Sequence, residues 1–70
     1  MRIMGLLYCM SNGTAVRIRN LTKNKDFSGK TGPNNTPRLI ADLQRHDCEN
    51  AIVRVIYPLY HAKEIYIECV

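Results

Sequence analysis

Gly29-Lys30-Thr31 is the first stretch of this chain whose residue types and spacing could do chemistry. A glycine, a lysine and a hydroxyl residue in that order end the phosphate-binding loop Gly-x-x-x-x-Gly-Lys-Ser/Thr, which curls backbone amides around phosphates directly ahead of a helix. That loop needs a glycine five positions before Gly29, and Asn24 stands there. Gly32-Pro33-Asn34-Asn35 also separates the triplet from the next helical pattern, so its amides are not aligned with a helix N-terminus. The triplet reads as part of a polar linker.

Histidine and cysteine are the next candidates. Cys9, Cys48 and Cys69 are odd in number and show no Cys-x-x-Cys spacing, which argues against a disulfide framework and against a four-cysteine zinc site. They read as reduced, small apolar residues. His46, Cys48, His61 and Cys69 could together supply four zinc ligands, but neither local pair has a finger spacing, and no metal is expected. His61 has no serine, cysteine or carboxylate near it at a spacing that would build a triad. Without a nucleophile, a metal cluster or paired carboxylates, the expectation is a protein that is not an enzyme and carries no cofactor.

Charge is more informative. Residues 1–40 hold seven lysines and arginines against the single acid Asp26, whereas residues 41–70 hold three against five acids. Arg17, Arg19, Lys23, Lys25 and Lys30 fall close together in sequence, as a basic surface for phosphates or for an acidic protein face would require. Tyr8 is expected beside Arg17, where it could anchor a protein interface or stack on an unpaired base. These six residues form the expected partner-binding site. A second aromatic group, Tyr57, Tyr60 and Tyr66 with His61, has the composition of an interface anchor or of ordinary strand packing.

The elements that position these residues follow from the hydrophobic pattern. Asn12-Gly13 between two apolar runs is the preferred pair for a tight hairpin, which predicts a first β-hairpin over 1–21. Residues 22–35 lose the apolar pattern and read as a polar, basic loop. Thr36-Pro37 reads as a helix start, with Leu39, Ile40 and Leu43 as the buried stripe of a helix over 36–47. Ala51 to Tyr57 and the alternating Ile65, Ile67 and Cys69 give a second hairpin over 51–70. The expected fold is therefore α+β: one small domain, β-β-α-β-β, with a four-stranded, mainly antiparallel sheet and one helix on one face. This order of elements resembles that of a ubiquitin-like β-grasp domain.

Seventy residues bury only about 60% of the surface that the unfolded chain would expose, so stability from a single core is modest. The longest apolar run, Ile3 to Met10, is far short of the roughly twenty residues that span a bilayer, and it lacks the basic leader of a signal peptide. The expected role is a small cytoplasmic protein-binding module, an inhibitor or adaptor of the kind encoded by phages or mobile elements, whose basic face docks on the acidic surface of a larger protein. The alternative is DNA or RNA binding by the same face. No membrane partner is expected; a homodimer through the edge of the C-terminal strand "EIYIECV" is a further expectation.

Overall fold

The computed structural model describes residues Met1 to Val70. Six elements follow one another: α1 (Ile3–Cys9), β1 (Ala15–Asn20), β2 (Lys25–Lys30), α2 (Asn35–Arg45), β3 (Val53–Leu59) and β4 (Glu64–Cys69). The strands form one mixed sheet in the order β2-β1-β4-β3. β1 and β4 run parallel at its centre, and antiparallel β2 and β3 flank them. The second expected hairpin, β3 with β4, is present, and of the first only β1 is a strand; the sheet is mixed rather than mainly antiparallel, and two helices are present instead of one.

The first expected hairpin is the main correction. Ile3 and Leu7 are four residues apart and fully buried, the spacing of one helical face, and Met4, Leu6 and Met10 pack against the same core. A short apolar run is equally readable as strand or helix from its pattern, and here tertiary packing selects helix. α1 has no side-chain cap and no acid in its first turn, so its stability comes from that packing. Asn12-Gly13 still makes a turn, with Gly13 at φ 81°, but it joins α1 to β1. Residues 25–30 of the expected loop are strand β2, paired along its whole length with β1. The turn between them closes on Asn24, which adopts φ 54°, a left-handed conformation that asparagine tolerates better than most residues. Asn20 Oδ1 accepts from Lys23 N–H at 2.8 Å and fixes the same turn.

The predicted helix is present as α2. Its first residue is Asn35, and Thr36 points back into the preceding turn: Gly32 N–H donates to Thr36 Oγ1 at 2.9 Å while Thr36 N–H donates to the Gly32 carbonyl. Pro37 sits within the first turn, where its missing N–H leaves no intrahelical bond unmade. Leu39, Ile40 and Leu43 face inward as the pattern predicts.

The core lies between both helices and one face of the sheet. Val16 and Ile18 of β1, Phe27 of β2, and Ile67 and Cys69 of β4 alternate onto that face and meet Ile3, Leu7, Leu39, Ile40, Leu43, Cys48 and Ala51. Gly29-Lys30-Thr31 ends β2 and ties the turn after α1 to the sheet. Thr31 Oγ1 donates to the Ser11 carbonyl at 2.6 Å and accepts from Thr14 N–H at 3.2 Å. Gly13 N–H donates to the Thr31 carbonyl at 2.7 Å. Thr31 is thus a structural clasp.

Candidate functional site

Side chains alternate along a strand, so the register of the sheet fixes what lies on the face that the helices leave uncovered. Arg17 stands between Ser28 and Tyr66, and Tyr66 is opposite Tyr57. In the next row Arg19 stands between Asp26 and Glu68, and Glu68 is opposite Val55. Ala15 stands beside Lys30 at the far corner.

The arginines on this face are paired. Arg17 Nη2 lies 3.2 Å from Glu64 Oε1. Arg19 Nη1 donates to both carboxylate oxygens of Asp26, at 2.9 and 3.0 Å, and its Nη2 donates to Asn24 Oδ1. The hydrogen bond to Asp26 raises the Arg19 pKa further above its already high ordinary value, and the attraction of that carboxylate adds to it. Tyr66 and Tyr57 stack with ring centroids 4.9 Å apart and planes tilted by 39°. The Tyr66 hydroxyl donates to Glu68 Oε2 at 2.9 Å; that bond, followed by burial, raises its phenol pKa. A shallow depression lined by Arg17, Asp26, Phe27 and Ser28 opens on the β2 side of Arg17, away from the tyrosines.

The structure does not gather the six expected site residues. Arg17 and Arg19 share the uncovered face, with Lys30 at its corner. Lys23 lies in the β1–β2 turn, and Lys25 is in register with buried Asn20, on the side of the sheet that faces the helices. Tyr8 is exposed on α1, across the sheet from Arg17, because the hairpin that would have paired the two is absent. The face is also not basic. Arg17, Arg19 and Lys30 are matched there by Asp26, Glu64 and Glu68. The excess positive charge is carried elsewhere, on the turns, on α2 and near the chain start.

By type, Tyr57 and Tyr66 read as interface anchors or as ordinary strand packing, and they were not among the six expected site residues. Their position beside Arg17 was not recognisable, because it depends on the parallel pairing of β1 with β4, which brings together residues almost fifty positions apart. The same non-local pairing supplies Glu64 and Glu68.

The histidines and cysteines do not form a cluster. His46 stacks on Phe27 with centroids 5.6 Å apart, and His61 lies in the turn between β3 and β4. Cys48 and Cys69 are buried, and burial pushes both thiol pKa values up; Cys9 is exposed. No group of three or more histidine, cysteine or acidic side chains is placed to hold a metal ion. No helix is long and apolar enough to cross a membrane. No protein-family description, curated protein or solved structure matches this chain.

Proposed function

We propose that this protein is a small, non-enzymatic protein-binding module, an inhibitor or adaptor, that docks on a larger protein through the helix-free face of its sheet. The observation that carries the proposal is the juxtaposition of Arg17 and Arg19 with the stacked Tyr57–Tyr66 pair on that face. Arginine and tyrosine are the side chains that most often dominate the energy of protein interfaces, since both bring large contact area and directional hydrogen bonds. Here neighbouring acids and a stacking partner hold them in place, so less rotamer entropy remains to be lost on docking.

The charge balance refines the partner. A uniformly acidic surface gains little from a face whose cations and carboxylates match in number. A partner with individual carboxylates set against Arg17 and Arg19, and apolar area against the tyrosines, is complementary to it. The same balance weighs against nucleic acid, because phosphate binding draws on uncompensated cations.

The test compares partner capture by the wild-type protein, by Arg17→Glu and by Tyr66→Ala, with folding checked by circular dichroism. Loss of capture in both variants is expected. Undiminished capture would eliminate this face as the docking site. Titration with single- and double-stranded oligonucleotides is the second arm: an affinity whose logarithm falls by roughly 0.7 to 0.9 per phosphate contact for each tenfold rise in salt would replace the protein-binding reading with a nucleic-acid one.

A further inference from the structure

β3 is the strand that the fold leaves uncovered on both sides. All five residues from Arg54 to Pro58 are exposed. Val55 and Tyr57 lie on the helix-free face, opposite Glu68 and Tyr66. Ile56 lies on the helix side, opposite buried Ile67, yet remains 46% exposed because neither helix reaches it. An apolar edge of this kind is a template for another strand. The opposite edge, β2, is protected by Lys25, Asp26 and Lys30 and by its neighbour α2.

The hydrogen bonds at the end of the β3–β4 ladder fix the direction of the free backbone groups. Ile52 and Val70 exchange both of their hydrogen bonds, at 2.9 Å each. Counting back by twos from Val70, Glu68, Tyr66 and Glu64 therefore aim their backbone groups at β3, and their partners Val55, Tyr57 and Leu59 use theirs inward. Ile56 and Pro58 are left pointing outward. Pro58 has no N–H, which a central strand would not tolerate and an edge does. Met1 already occupies the edge at Val53, whose N–H donates to its carbonyl at 2.8 Å, and Arg54 is the extra residue of a bulge. Between that bulge and the next turn, Ile56 alone offers both an outward N–H and an outward C=O.

We infer that β3 pairs antiparallel with β3 of a second copy of this chain about a two-fold axis at Ile56, merging two four-stranded sheets into one of eight strands. This inference does not depend on the docking role proposed above. From Arg54 to Pro58 the strand is self-complementary in that register, and beyond it Leu59 of each copy bends away from Met1 of the other, which holds the edge at Val53. Val55 falls beside Tyr57 of the second copy, and Tyr57 beside its Val55, which gives a β-branched and aromatic pair on either side of the axis. Ile56 meets Ile56 and exchanges two hydrogen bonds with it. Arg54 falls opposite Pro58, so no like charges meet across the seam. The exposed apolar and aromatic side chains in the paired stretch are Val55, Ile56 and Tyr57, so the interface falls below the roughly 1,000 Å² of a specific one. The dimer is accordingly weak and depends on concentration.

Sedimentation equilibrium from micromolar to millimolar protein tests the assembly, and amide exchange tests the register. The expected result is a monomer–dimer equilibrium in which the Ile56 amide becomes protected as concentration rises, while the Tyr57 amide is protected throughout. Ile56→Lys places two ammonium groups opposite one another at an exposed position and raises the dissociation constant about tenfold or more, with an unchanged circular dichroism spectrum. A monomer at millimolar concentration, growth beyond the dimer, a dimer indifferent to Ile56→Lys, or an Ile56 amide whose exchange ignores concentration would each overturn the inference.

Discussion

Replacing Thr31 with valine keeps the shape of a fully buried side chain and removes its hydroxyl. The wild-type hydroxyl donates to the Ser11 carbonyl at 2.6 Å and accepts from Thr14 N–H at 3.2 Å, so two hydrogen bonds are lost. Neither partner is left fully unpaired. The Ser11 carbonyl still accepts from Thr14 Oγ1 at 2.6 Å, and Thr14 N–H still has the Ser11 carbonyl at 3.3 Å. The loss is then that of one good and one weak hydrogen bond at about 0.5–1.5 kcal/mol each, or about 1–2 kcal/mol together, without the larger cost of an orphaned buried group. A chain of 70 residues has a total stability of about 4–10 kcal/mol, so Thr31→Val still folds. Its midpoint of thermal unfolding falls by about 4–8 °C for each kcal/mol lost. Thermal denaturation followed by circular dichroism reads the global effect, and amide exchange at Gly13 and Thr14 reads the loosened turn. A variant that melts with the wild type would refute the clasp. So would one that does not fold, since that would mean the remaining partners do not compensate.

Two further outcomes test the environments of single groups. In the native protein a thiol reagent should modify Cys9 alone and reach the other two of the three cysteines only on unfolding, because Cys48 and Cys69 are buried with thiols held protonated by that burial; rapid modification of all three would contradict the packing. Ultraviolet titration should show the Tyr66 phenol ionising above its ordinary range, and Glu68→Gln should lower its pKa. The sign follows from linkage. A phenol whose folded pKa is raised adds stability that is fully present below its unfolded pKa and is lost as pH climbs through the folded value, so Tyr66 stabilises the neutral protein and stops doing so in strong alkali. A Tyr66 phenol that ionises at its ordinary pH, or one that Glu68→Gln leaves unmoved, would refute the Tyr66–Glu68 bond.

Helix α2 and the hairpin of β3 with β4 were legible because their signals are local. Leu39, Ile40 and Leu43 recur at the helical period, and the β-branched run from Ala51 stops near a proline. α1 was not, because Ile3 to Cys9 is apolar nearly throughout and its period is ambiguous. β2 was not, because "KDFSGK" has one apolar side chain and almost no strand propensity. It is a strand because β1 lies beside it and because Phe27 reaches the core. Misplacing these two elements also misplaced Tyr8 and made Lys23, Lys25 and Lys30 look like parts of one patch.

The sequence by itself determined the α+β character, the inward stripe of α2, the alternation of β1 and β4, and the surplus of cations. Each is set by residue type and by spacings of two to four positions, over which chain geometry is fixed. The tertiary structure decided which strands became neighbours, and with them the partners of Arg17 and Arg19 and the apolar edge at Ile56. A charge in the sequence has a sign but no neighbour. Only the parallel pairing of β1 with β4, closed across most of the chain length, set carboxylates and tyrosines beside the arginines and turned an apparently basic surface into a neutral one.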